Sequence, residues 1–126
     1  MKKIYLAIPY TGMCDSSYKQ SIYALHYLIN QGLNCFSPIV HSHVLSDLGV
    51  RQDWEFWSEI DYDFIDWCDE VCVLIPEEGI QKVLKSTGVN AEIKYAQETG
   101  KEVFCLTKKE DHYEFDTFDN CFADFK

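Results

Sequence analysis

Four short, largely apolar runs recur along this chain with room for one helix between each pair. They are Ile4–Ile8, Leu33–Phe36, Val71–Ile75 and Glu102–Leu106. The first gap reads as a helix capped by Asp15 or Ser16 and running to about Gln31. Tyr18, Ile22, Leu25, Leu28 and Ile29 give it an apolar face at helical spacing, and Gly32 suits its C-terminal stop. A second helix is expected from about Asp53 to Cys68, and a third from Gly88 to Thr99, ending at Gly100. Strands that alternate with helices in this way predict a doubly wound parallel sheet in a three-layer α/β/α sandwich. Val71–Ile75 is apolar throughout, as a parallel strand buried on both faces should be. An antiparallel pairing of Ile4–Ile8 with Val71–Ile75 would contradict this architecture. The segment from His41 to Arg51 reads as irregular, the connection Pro76–Thr87 shows no assignable element, and residues 107–126 alternate acids with aromatics as an extension.

Such sheets bind ligands at the carboxyl ends of their strands. That directs attention to the loops Pro9–Met13, Ser37–Ser46 and Pro76–Val89. The 126 residues are expected to form one domain. Eleven basic against 21 acidic residues leave a net charge of −10, which argues against a polymeric nucleic acid as partner. A small anionic ligand remains compatible, because backbone N–H groups at a helix start hold phosphate without a basic patch. Neither a signal peptide nor a membrane span is expected, since the apolar run after Lys2 and Lys3 ends at Pro9. The six cysteines form no C-x-x-C pair and several sit inside apolar runs. They read as reduced, mostly buried thiols of a cytoplasmic protein.

Two carboxylates stand out. On the second helix, Trp54, Trp57, Phe64, Ile65 and Cys68 share a face, and Asp61 lies within that stripe. A carboxylate on a core-facing stripe is costly unless it is paired or useful. It suits a bond to a nearby backbone group or Tyr as readily as chemistry. The second site is Ser86-Thr87-Gly88-Val89-Asn90-Ala91-Glu92, a helix start that puts Glu92 in the first turn. There a capping-box role competes with a functional anion favoured by the helix N-terminus. Taken together, both carboxylates fall near the ligand-binding end of the sheet, and glycosidic cleavage uses two such groups.

With these pieces in place, the chain resembles the nucleoside 2-deoxyribosyltransferase superfamily. Within it, the chain is similar to an uncharacterised phage and prophage branch and to nucleotide N-hydrolase-like members. Lys3-Ile4-Tyr5-Leu6-Ala7 with Pro9-Tyr10 matches the opening strand and loop. Phe36-Ser37-Pro38-Ile39, His41-Ser42-His43 and Asp53-Trp54-Glu55-Phe56-Trp57 match the branch. Asp61 stands eight residues before Asp69, and Ser86-x-Gly88-x-x-x-Glu92 matches the motif of the nucleophilic Glu. The resemblance implies a flavodoxin- or Rossmann-like sheet and a covalent ribosyl–Glu intermediate. Glu92 would attack C1′, Asp61 would assist departure of the base, and Tyr5 would orient Glu92. Ser86, where nucleoside transferases carry an Asp, would donate to a 5′-phosphate, with Gly88, Pro9, Thr11 and Gly12 lining the substrate. The implied activity is N-glycosidase action on a (deoxy)nucleoside 5′-monophosphate.

Tyr10 is a candidate for stacking on the base. His41 and His43 are candidates for substrate contact, and a third ligand with zinc-like spacing is missing. No metal or other cofactor is expected. Three alternatives stay open: a nucleoside 2-deoxyribosyltransferase exchanging bases, a glycohydrolase of NAD-type nucleotides, and a non-catalytic protein that binds and sequesters nucleotides. The expected partner is a small nucleotide or nucleoside, and no polymeric nucleic acid or membrane association is expected. The resemblance also implies a homo-oligomer, with Trp57, Tyr113, Phe115, Phe118 and Phe122 as candidate contacts.

Overall fold

The computed structural model describes residues 1–50 and 53–123. The elements run β1 (Lys3–Ala7), α1 (Cys14–Asn30), β2 (Asn34–Phe36) and α2 (Pro38–Ser42). A 3-10 helix (His43–Leu48), α3 (Trp54–Trp67), β3 (Glu70–Ile75) and α4 (Ile80–Lys85) follow. The order closes with α5 (Thr87–Glu98), β4 (Glu102–Lys108), β5 (Tyr113–Thr117) and α6 (Phe118–Cys121). The sheet order is β2-β1-β3-β4-β5. β1 pairs in parallel with both β2 and β3, and β3 in parallel with β4. The three-layer α/β sandwich read from the alternation is thus the fold, with an antiparallel edge strand, β5, added beside β4. Strand order reverses at β1, and the crevice at such a reversal is where ligands bind in open parallel sheets.

Side-chain alternation along each strand divides the core in two. Tyr5, Ala7, Val71, Val73, Val103 and Cys105 face Ile65, Val83, Val89, Ile93 and Ala96 of α3, α4 and α5. Ile4, Leu6, Cys72, Leu74 and Leu106 face Ala24 and Leu28 of α1. Tyr5 therefore projects to the side that carries Asp61 and Glu92, a consequence of strand period alone.

The differences from expectation have local causes. α1 buries Ser17, Ser21, Ala24 and Leu28, while Ile22 and Ile29 stay exposed. Small residues let the helix lie close on the sheet, so the seam runs one step round from the larger apolar residues. Its N-cap is Met13, without a side-chain bond, rather than Asp15 or Ser16. The segment read as irregular takes in the end of α2, a helix capped by Ser37 accepting from Val40 N–H with Pro38 in the first turn, and then the 3-10 helix. Arg51, at its end, lies outside the described residues. The unassigned connection holds α4.

Residues 107–123 complete β4 and add β5 and α6. They fold back over β4 and bring Cys121 to Cys105, and the two form a disulfide. This corrects the expectation of six reduced thiols at one pair, since Cys14, Cys35, Cys68 and Cys72 are free. Phe122, expected as an oligomer contact, is buried in the core instead. No helix among the described residues is long and apolar enough to cross a membrane.

Candidate active site

The carboxyl end of β1 and the segments that follow β2 and β3 open into a cavity of about 430 Å³. Its wall takes Ala7 to Thr11 from the end of β1 and the loop beyond, and Pro38, Ile39, Ser42 and Ser46 from the segment after β2. Trp54, Trp57 and Asp61 come from α3, Lys82 and Lys85 from α4, and Ser86 to Val89 and Glu92 from the start of α5. The three loops singled out by the sheet rule all contribute.

Glu92 is held by its helix. Ser86 is the N-cap of α5, and its Oγ accepts from Val89 N–H at 3.2 Å. Counting from that cap, Glu92 is the sixth helical residue, in the second turn. It is neither a capping-box residue nor within reach of the free N–H groups of the helix end, which corrects the first-turn assignment. It belongs to the buried stripe Val89, Glu92, Ile93 and Ala96. Its side chain is only 5% exposed and takes a hydrogen bond from the Tyr5 hydroxyl.

Burial raises the Glu92 carboxyl to about 8, with the charge of Asp61 adding and the Tyr5 bond opposing. Burial likewise raises Asp61 to about 7. Two acids that interact this way take up and lose protons as a pair. Burial, then the charge of Glu92, lifts Tyr5 well above its ordinary value, so its hydroxyl stays protonated and serves as a donor.

Aromatic contacts fix α3 against α5 and so fix Asp61 relative to Glu92. Tyr62, next to Asp61, stacks on Tyr95 with ring centroids 4.3 Å apart. The Tyr95 hydroxyl donates to Asp66 at 2.6 Å. The Trp54 ring lies over Gly88, where an added Cβ would stand 3.4 Å from the ring edge.

Of the sequence-nominated residues, Asp61, Glu92, Ser86, Gly88, Pro9, Tyr10 and Thr11 meet on this wall. Tyr5 stands behind it, on Glu92. Gly12, His41 and His43 are not on the wall. Gly12 takes a positive φ of 82° in the turn before α1. His41 packs on Phe36 and Phe64. His43 Nδ1 lies 2.6 Å from the Tyr10 hydroxyl, its Nε2 lies 3.3 Å from Asp15, and its ring stacks on Tyr18. It thus touches the cavity wall through Tyr10 and through Ser46, whose hydroxyl donates to the His43 carbonyl at 2.7 Å. Trp57, a candidate contact between copies of the chain, lines the cavity. Sequence reasoning missed Ser42, Ser46, Lys82 and Lys85. The i, i+3 spacing of the two lysines was the available signal, hidden because α4 itself was not recognised. Among the described residues, no group of three or more His, Cys, Asp or Glu is placed to hold a metal.

Residues 2–105 match the family model described as a domain of unknown function, DUF4406. The chain belongs to this family. The match spans β1 to β4 and so contains every wall residue of the cavity. No curated protein matches this DUF4406 chain in sequence. Among solved structures it is similar to the CMP N-glycosidase BcmB of Clostridium botulinum. The two share 20% identity over 84% of this chain and 71% of that one, with a TM-score of 0.50. At that identity the likeness is one of fold.

Proposed function

We propose that this DUF4406 chain is an N-glycosidase of nucleoside 5′-monophosphates that works through a ribosyl–Glu92 intermediate. The observation that carries the reading is a buried carboxylate, Glu92, bonded by the buried Tyr5 hydroxyl and sharing one cavity with a second protonatable carboxyl, Asp61. A buried and a partly buried carboxyl group on one cavity wall cost stability, and a reaction that uses both accounts for that cost. Resemblance to the deoxyribosyltransferase superfamily, and a fold like that of a CMP N-glycosidase, support the same reaction class.

In the first step a Glu92 oxygen forms a bond to C1′ as the C1′–N bond breaks. The bonding pair leaves with the base, which takes a proton from Asp61. In the second step the Asp61 carboxylate removes a proton from water. The resulting nucleophile attacks C1′, Glu92 departs as carboxylate, and ribose 5-phosphate (or its deoxy form) is released. The reactive arrangement needs the shared proton on Asp61 and the charge on Glu92, where Tyr5 stabilises it. Ser86 supports the phosphate assignment. Its oxygen accepts from Val89 N–H, which leaves the hydroxyl proton free to donate. The Trp54 and Trp57 faces and Tyr10 offer surfaces for the base.

The test is release of free base, followed by chromatography, from ribo- and deoxyribonucleoside monophosphates and their nucleosides. Wild type should release base from a monophosphate, and Glu92→Ala should release none while still binding it. Tight binding without release by wild type would instead establish a sequestering protein. Release only from nucleosides, or only with an acceptor base present, would establish a transferase.

A further inference from the structure

The cavity presents a monophosphate with an electrostatic difficulty. Two carboxyl groups share its wall, the chain carries a net charge of −10, and a nucleotide brings a further dianion. Ser86 and the first N–H groups of α5 are neutral donors, which leaves that repulsion without a counter-charge. Lys82 and Lys85 are on the same wall, next to Ser86, Thr87 and Gly88.

Their placement follows from α4. Val83 is its buried anchor, and Lys82 and Lys85, three residues apart, lie on one side of it. The helix is tied to the start of α5 by Asn90. Its Nδ2 donates to the carbonyls of Val83 and Leu84 at 3.1 Å and of Ser86 at 2.7 Å. Both lysine stems therefore spring from a support fixed to the N-terminus of α5.

Five other lysines have partners, while Lys19 and Lys109, away from the cavity wall, have no ion pair or ammonium hydrogen bond among the described residues. Lys2 meets Glu70, Lys3 meets Asp69, Lys94 meets Glu98 and Lys108 meets Glu77. Lys101 donates to the carbonyls of Asp66 and Cys68 at the end of α3. Among the described residues, neither Lys82 nor Lys85 has an ion pair within 4 Å or a hydrogen bond to its ammonium. Glu78, whose carboxyl is held below its ordinary value by Ser16 and Gln20 with a smaller contribution from Lys82, is itself bonded by those two side chains.

We infer that Lys82 and Lys85 form the cationic half of a phosphate clamp, with Ser86 and the first turn of α5 as its neutral half, and that this pair selects nucleotides over nucleosides. The inference rests on the monophosphate reading and names the residues that enforce it. The ammonium groups act on the phosphate oxygens, remote from the bond that breaks, so their effect belongs to substrate selection. Lysine rather than arginine suits the role, since a compact point charge on a flexible stem can follow a phosphate through binding and release.

The double variant Lys82→Gln/Lys85→Gln tests this by kcat/KM on a nucleoside monophosphate and on its matching nucleoside. The nucleotide-to-nucleoside ratio should fall roughly 10- to 100-fold, the size expected for charge-assisted bonds. The loss should appear mainly in KM. Raising salt should weaken the wild-type preference more than the variant's, and Lys82→Arg/Lys85→Arg should restore part of the ratio. A wild type that prefers nucleotides, with a variant that keeps the full preference, overturns the clamp and leaves the monophosphate reading standing. A wild type that shows no preference overturns both. If wild type cleaves neither substrate, calorimetric titration with the monophosphate decides. A roughly 10-fold or greater loss of affinity in the variant supports the clamp, and an unchanged affinity overturns it.

Discussion

Replacing Glu92 with Gln should flatten a pH dependence built into the fold. Burial, with the charge of Asp61 adding, lifts the Glu92 carboxyl from 4.5 to about 8 against the opposing bond from Tyr5. In the unfolded chain the group titrates near its ordinary value. Between the two values the folded chain keeps a proton that the unfolded chain has lost. The contribution to stability is therefore fully present below about 4.5 and lost as pH rises through about 8. A gap of this size corresponds to about 4 kcal/mol between roughly pH 5 and pH 9. Glutamine keeps the shape and can still accept from Tyr5, but it does not ionise. Urea unfolding of both proteins at the two pH values measures the effect. Wild type should lose about 4 kcal/mol more than the variant on going to the higher pH. At that pH Glu92→Gln should be the more stable protein. Asp61, raised to about 7 by burial, still titrates in the variant, there without the charge of Glu92 beside it. Equal slopes, or a variant less stable at the higher pH, would refute the reasoning that Glu92 is a buried group held against its own charge.

Tyr5→Phe removes the bond that favours the Glu92 anion, so the acidic limb of kcat/KM should move to higher pH. At neutral pH the rate should fall roughly 10- to 100-fold, and it should partly recover under alkaline conditions; a pH–rate profile with an unmoved acidic limb would contradict this. Cys121→Ser opens a link across a separation of 16 residues and should cost about 3 kcal/mol in urea under oxidising conditions, and nothing once the wild type is reduced. Trp67 and Phe115 are 54% and 47% exposed, and light scattering at micromolar concentration should report a homo-oligomer that covers them; an active monomer would contradict it.

The fold was legible because its signals are local. Each parallel strand is a short apolar run, and each long helix carries its own period and stop. Ser86 and Asp53 cap their helices through their side chains, as their residue types allow. What escaped was set by tertiary contact. α1 lies on the sheet through Ser17, Ser21 and Ala24, residues whose merit is smallness and which carry no hydrophobic signal. α4 is a six-residue helix with one buried side chain, too short for a period to register. β5 has an exposed outer face, so its alternation of acids and aromatics looked like noise until β4 was there to pair with it.

Seven of the residues read from the sequence meet on the wall of the candidate site, Gly12, His41 and His43 do not, and the electrostatics of Glu92 differ from expectation because of a single turn of helix. A glutamate in the first turn meets free N–H groups and is kept ionised. Glu92 lies one turn further on, where every N–H already has an intrahelical partner, and the stripe of Val89, Ile93 and Ala96 turns it into the core. The helix that was expected to steady a fixed anion instead buries it beside Asp61. Tyr5 restores part of the lost stabilisation with one hydrogen bond, and it can do so because strand period sends alternate residues of β1 to the α3 and α5 side. The result is a pair of acids that share a proton near neutral pH rather than one permanent nucleophile. That condition suits a reaction in which one carboxyl must attack while the other gives up a proton and then, as a base, takes one back from water.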